Sequence, residues 1–223
     1  MHDPGNVADA LSRRREAAVA GHTGDVERAR QGLGDPDAGV RATALAAVAR
    51  LGALLPGDLD TALRDAEASV RGSACEAAAR LPAPAPGDAE LVLARLDDDD
   101  PAVVEVAAWA LGELGEHVEL PARTVDALAG VATGHEDPLA RESAVAALGA
   151  IGDAAGLAAI LAGATDKPAV RRRAILALAP FSGPEVDAAL ERARNDRDWQ
   201  VREAAELLRR SDSASGDDSV PTG

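Results

Sequence analysis

Aromatic residues are nearly missing from this chain: Phe181, Trp109 and Trp199 are the whole set, and there is no Tyr. Several such rings ordinarily anchor a globular core. The 47% hydrophobic content is instead mostly Ala, Leu and Val, which suits thin layers of closely approaching helices. Cys75 is the only cysteine, which excludes an intramolecular disulfide and gives no sign of an oxidising compartment. No stretch approaches the roughly 18 uninterrupted apolar residues of a membrane span. The N-terminal stretch, with Arg13, Arg14 and Arg15 in an Ala-rich amphipathic run, holds no apolar targeting core. These absences indicate a soluble, cytoplasmic chain that does not enter membranes.

Lysine is also scarce. Lys167 stands alone beside 22 Arg, and 38 acidic residues against 23 basic ones leave a formal charge of −15. Such a field repels nucleic acid and anionic membranes, whose sequence-independent binding energy comes from neutralised phosphates. Many carboxylates with almost no Lys suit a protein that stays soluble in concentrated salt. GC-rich codon usage accounts for the Arg, but less readily for so large an excess of acid.

What is present is a repeat. DPDAGVRATALAAVARLG begins at Asp35, DAEASVRGSACEAAARL at Asp65 and DDDPAVVEVAAWALGELG at Asp98. EDPLARESAVAALGAIG begins at Glu136, DKPAVRRRAILALAPF at Asp166 and DRDWQVREAAELL at Asp196. Aligned on the Arg that usually follows Val, the copies sit at 41, 71, 104, 141, 171 and 202, with intervals of 30, 33, 37, 30 and 31 residues. The pairs Asp35-Pro36, Asp100-Pro101 and Asp137-Pro138 read as helix starts, Asp capping free N–H groups and Pro in the first turn. A buried stripe follows: Val40, Ala44, Ala47, Val48 and Leu51 in the first copy, and Val103, Ala107, Ala110, Leu111 and Leu114 in the third. The fourth repeats it with Ala140, Ala144, Ala147, Leu148 and Ile151. Gly52, Gly115 and Gly152 read as left-handed helix ends.

Shorter helices are expected before each motif, at 26–33, 58–64, 88–96, 122–132, 154–162 and 184–194, with Val7–Ala20 as an extra helix at the start. Pro82, Pro84 and Pro86 read as an extended connector, and 211–223 as a disordered acidic tail. One helix pair cannot bury its own apolar face, so the pairs must stack.

The run D-P-x-x-x-V-R-x-x-A-x-x-A-L-G resembles the HEAT family, in its short subtype of about 30 residues first noted in phycobilisome lyases. The resemblance covers most of Val26–Leu208. It implies an all-α, α-α superhelix (a HEAT-repeat solenoid) of about six helix pairs, divided as N-terminal capping helix 1–21, repeat array 22–210 and tail 211–223. Binding modules, lyases and hydroxylases share the motif, so it specifies fold better than function.

The Arg column (Arg41, Arg71, Arg141, Arg171, Arg202) recurs with an Asp column that includes Asp35, Asp65, Asp166 and Asp196. It reads as a structural ladder, each Arg pairing with an Asp of its own or the neighbouring repeat, and Val104 interrupts it in the third copy. The iron-dependent deoxyhypusine hydroxylases of this subtype carry repeated His-Glu pairs. The matching positions here hold no His, and His135-Glu136 lies in a turn, so no metal and no cofactor is expected. The run Asp97–Asp100 lacks the alternating ligands of a calcium loop, and Cys75 reads as a small buried hydrophobe.

HEAT arrays bind through the concave side lined by second helices. The residues offset from the stripe there are Glu76, Glu105, Trp109, Glu113, Glu142, Arg172 and Leu176. Trp109 stands where other copies have Ala46, Glu76 or Ala146, a bulky anchor ringed by carboxylates. Trp199 reads as shielding the C-terminal end. The expected function is a monomeric, non-catalytic scaffold or adaptor that binds another protein presenting basic residues. The alternatives are a lyase-like or chaperone subunit related to phycobilin lyases, which would need a bulky apolar cleft, and a metal-dependent hydroxylase, which would need the missing His.

Overall fold

A computed structural model describes residues 4–55 and 57–215. Among them there are helices and turns but no strand. The helices are α1 (Pro4–Thr23), α2 (Val26–Gln31), α3 (Ala38–Arg50), α4 (Asp58–Leu63), α5 (Ala68–Ala79), α6 (Pro86–Leu93) and α7 (Pro101–Leu114). They continue with α8 (Thr124–Gly134), α9 (Pro138–Ile151), α10 (Leu157–Gly163), α11 (Pro168–Ala177), α12 (Pro184–Arg194) and α13 (Trp199–Ser215). The chain divides into two compact units, Met1–Pro121 and Ala122–Gly223.

In the first unit the long helices α1, α3, α5 and α7 pack in succession, while the short helices α2, α4 and α6 lie beside them as a second layer. The second unit repeats this arrangement, with α9, α11 and α13 in succession and α8, α10 and α12 alongside. Each long helix is one motif of the sequence repeat. The stripe is buried as the spacing predicts, and it is wider than the spacing predicts. Leu45, Cys75, Ala108, Val145 and Ile175, one residue after the Ala of each motif, are at most 1% exposed. Burying a side chain the size of Leu45 or Ile175 contributes about 1.5–3 kcal/mol.

The scarcity of aromatics has a steric cause. A Cβ built on Gly21 would stand 2.7 Å from the Cβ of Ala47, and one on Gly149 would stand 2.6 Å from that of Ala177. Consecutive long helices therefore touch backbone to backbone, and only Gly and Ala fit at the crossing.

Several local expectations are corrected. The N-cap of α3 is Asp37, whose side chain accepts from the Val40 N–H, so the Asp35-Pro36 pair precedes the helix rather than starting it. Asp100 and Asp137 do cap α7 and α9, with Pro101 and Pro138 in the first turn. Gly52 and Gly152 are left-handed (φ 64° and 69°), but Gly115 is right-handed at φ −60° because α7 runs straight into further turns. Pro86 belongs to the first turn of α6 and not to an extended connector. Helix α13 continues to Ser215, so 211–215 are helical where a disordered tail was expected. The rest of that tail, 216–223, lies outside the described residues.

Candidate binding face

The charged columns come together first. Arg41 donates through Nε and Nη2 to both carboxylate oxygens of Asp65, at 2.8 and 2.7 Å. Arg71 does the same to Asp98 (2.8 and 2.7 Å), Arg141 to Asp166 (2.6 and 2.8 Å) and Arg171 to Asp196 (2.9 and 2.8 Å). In each case the acceptor belongs to the next repeat, never to the arginine's own. The third nitrogen, Nη1, turns back to carbonyls of its own repeat: Asp35 and Pro36 for Arg41, Asp65 and Ala66 for Arg71. Each arginine thus ties its own turn to the following one through a planar fork.

Asp35 is also an acceptor, and its donor is Arg13 of α1, at 2.7 and 3.1 Å. Arg13 is not marked in the sequence, because no Val precedes it and the Asp3-Pro4 pair at the start of its helix lies ten residues before it, not the four to six of the other motifs. It places α1 in the layer of long helices, with Arg13 in the ladder register. Arg202 bonds the Asp196 and Arg197 carbonyls through Nη1. In the third copy Val104 is fully buried, and His135 occupies the aspartate position of the next motif. Its Nδ1 accepts the Asp137 N–H, as the ladder aspartates accept theirs.

The electrostatic consequences follow from the geometry. Asp35, Asp65, Asp166 and Asp196 are held below the ordinary carboxylate range, chiefly by the arginine hydrogen bond. For Asp98 burial is the largest influence and pulls upward, but the Arg71 bond, the Asp100 N–H and the charges of Arg71 and Arg95 together outweigh it and hold the carboxyl below its ordinary range. Burial pushes the Cys75 thiol up to about 12, so it is neutral and inert as a nucleophile at physiological pH. The run Asp97–Asp100 is divided by duty: Asp98 accepts from Arg71, and Asp100 caps α7. No cluster of three or more His, Cys, Asp or Glu placed to hold a metal occurs among the described residues.

The seven residues expected on the binding face fall in both units. Glu76, Glu105, Trp109 and Glu113 lie on α5 and α7 of the first. Glu76 and Glu113 are exposed, while Glu105 and Trp109 are half-buried. Trp109 is covered on one side by a side chain the sequence did not flag: the Arg80 guanidinium carbon lies 5.5 Å from its ring centroid, at cation–π distance. Arg80 also reaches Glu76 at 3.1 Å. Beside them, between the ends of α3 and α5, opens a groove of about 530 Å³ whose polar lining is Arg50, Ser73, Glu76 and Arg80. Ala46, Ala49, Leu51, Ala77 and Pro82 are among its apolar lining. In the second unit Glu142 pairs with Arg173 at 3.5 Å, and Arg172 and Leu176 are half-buried. Trp199 is 61% exposed, so it presents its ring to solvent instead of shielding the end of the helix stack.

Family models agree with the repeat. One for HEAT repeats matches residues 125–209, and another for a HEAT repeat matches residues 90–118. The chain belongs to the HEAT-repeat family. Among solved structures it is similar to an engineered protein of the Northeast Structural Genomics Consortium, at 21% identity over 86% of this chain and 98% of that one, with a TM-score of 0.60. It is also similar to a designed armadillo repeat protein in complex with the peptide (KR)4, at 18% identity over 82% and 98% of the two chains, TM-score 0.58. At these identities the likeness is one of fold. No curated protein matches the sequence. The HEAT framework accounts for the stacked pairs and the small residues at their crossings.

Proposed function

We propose that this HEAT-repeat chain is a non-catalytic adaptor that grips a basic protein on the exposed face of α3, α5 and α7. The supporting observation is the juxtaposition of Trp109, pre-positioned under Arg80, with an open groove between α3 and α5. A half-buried aromatic held by a neighbour loses little freedom on binding, which suits an anchor. Glu105 and Glu113 stand one turn to either side of Trp109 on α7, and the net charge of −15 steers cationic partners toward the surface. A fold neighbour is a designed armadillo repeat protein in complex with the peptide (KR)4, which supports a basic segment as the partner. No helix among the described residues is long and apolar enough to cross a membrane, in keeping with a monomeric cytoplasmic adaptor. The acidic, Lys-poor surface fits a concentrated-salt interior.

The test uses Trp199→Phe protein, in which Trp109 is the sole indole, titrated with the (KR)4 peptide. Binding should shift Trp109 emission, weaken steeply as salt is raised, and fall at least about tenfold when Glu105 and Glu113 are both made Gln. Binding measured calorimetrically should be lost in Trp109→Ala. Equal affinity of wild type and Trp109→Ala would remove the site, and no binding at low salt would remove the basic partner.

A further inference from the structure

The binding face of the first unit changes sign from one end to the other. In each long helix, the residues one, five and nine places after the ladder position share this face. On α1 and α3 those positions bring Arg14, His22 and Arg50 and no carboxylate. On α7 they bring Glu105 and Glu113 around Trp109 and no cation. Between them, α5 contributes Glu76 and Arg80, which pair with each other.

Contacts place the basic residues on this face. Arg14 reaches across to α3 and donates from Nε to the Thr43 hydroxyl at 3.1 Å. Arg50 lines the groove together with Glu76 and Arg80, and His22 Nε2 lies 3.4 Å from its Nη1. Both arginines are exposed, and neither forms an ion pair among the described residues. Acidic residues outnumber basic ones 38 to 23 in this chain, so the sign at α1 and α3 opposes that of the whole.

We infer that the partner segment held by the proposed adaptor is ordered in charge: an acidic stretch lies over α1 and α3 against Arg14 and Arg50, and a basic stretch over α7 against Glu105 and Glu113. This rests on the adaptor reading of the same face and adds the sign of each end of its occupant. A uniformly basic segment gains at α7 and loses at Arg14 and Arg50. A segment with two opposite ends has one favourable placement, because inverting it sets like charges together. Helices packed about 9 Å apart put α7 about 18–27 Å from α3 and α1, a span of about 5–8 extended residues.

The probes are two peptides of identical composition, with (KR)4 as reference. EEEEGSGKRKR carries its charges in two blocks, and EKERGSGEKER alternates them. Calorimetric titration of the full chain at about 0.1 M salt should show the blocked peptide binding at least about tenfold more tightly than the alternating one. Arg14→Glu with Arg50→Glu should weaken the blocked peptide at least about tenfold and strengthen (KR)4, opposite movements that a damaged fold cannot produce. Arg14→Gln with Arg50→Gln should move both affinities in the same directions by less. If (KR)4 binds but the blocked and alternating peptides bind equally, the charge order is overturned and the adaptor reading stands. If none of the three binds, both are removed. Tighter binding of the blocked peptide after deletion of 216–223 would assign the basic end to the chain's own acidic tail, and would overturn it as a partner site.

Discussion

Replacing Arg71 by Ala is expected to be the most damaging single loss in the ladder, because its partner is the most deeply buried of the paired aspartates. The Asp98 side chain is 3% exposed and that of Arg71 14%, against 15% and 18% for Asp65 and Arg41. Removing one member of a buried pair costs about 3–5 kcal/mol, and the lower end is expected here because Asp98 keeps a longer contact to Arg95, at 3.5 Å. The two carbonyls that receive Nη1, of Asp65 and Ala66, lose a donor as well. For a chain of this length the sum corresponds to a fall in Tm on the order of 10 °C. Asp98→Asn should cost less, about 1–3 kcal/mol, because the amide oxygen can still accept the Asp100 N–H that Asp98 now accepts. Replacing both members by apolar residues, Arg71→Met with Asp98→Leu, removes the stranded charge. It should therefore cost at least about 2 kcal/mol less than Arg71→Met and Asp98→Leu made singly and added together. Urea unfolding followed by helical circular dichroism measures each of these proteins. Single losses below about 1 kcal/mol, with no coupling between them, would mean that the fork behaves as an ordinary surface ion pair, and the reasoning would fail.

Acid should dismantle the ladder in a definite direction. Asp35, Asp65, Asp166 and Asp196 have folded-state pKa values below the ordinary one, chiefly through their arginine bonds. The unfolded chain therefore takes up protons first as pH falls. The stabilisation is complete above the unfolded value near 3.9 and is lost as pH drops through the folded values. Tm should be flat down to about pH 5 and then fall, and the fall should be shallower in Arg141→Gln, Arg171→Gln protein. Equal acid slopes in the two proteins would count against the ladder as its source. Two glycines should respond oppositely to Ala. A methyl on Gly149 meets the Ala177 backbone at 2.7 Å, so Gly149→Ala should destabilise by about 1–3 kcal/mol despite its better helix propensity. Gly72 has nothing within 4 Å of that position, so Gly72→Ala should stabilise by about 0.5–1 kcal/mol in the same urea assay.

The fold was legible because each repeat states the same physical problem in the same register. Burial runs identically along 41–50 and 71–80, so the Ala, Leu and Val positions of one copy predict those of the next. The charged columns were equally legible as types, but their partners were not. Direction along the stack, from each Arg to the following repeat's Asp, depends on how helix pairs lean on one another, and periodicity carries no sign of that. Arg13 escaped because no Val precedes it and its helix's Asp3-Pro4 pair lies at a different spacing, although its guanidinium does the same work. Arg80 escaped for another reason. It follows the stripe at the end of α5, where an arginine ordinarily completes a helix terminus, and only the packing of α5 against α7 brings it over Trp109.

The third copy shows which parts of the motif are interchangeable. Val104 stands at the arginine position of its motif and His135 at the aspartate position of its own, and each is satisfied without charge: Val104 by burial, His135 by the Asp137 N–H. Both positions lie in the irregular stretch of sequence that surrounds the boundary between the two compact units, after Pro121. Within each unit the rungs are otherwise maintained, through Arg13, Arg41 and Arg71 in the first and Arg141 and Arg171 in the second. The charged fork is therefore a fastening the chain uses between repeats of one unit and omits once. An arginine that keeps the fork's geometry at the end of the second unit, as Arg202 does, stands apart from Val104 in that respect: the motif there is retained, not lost.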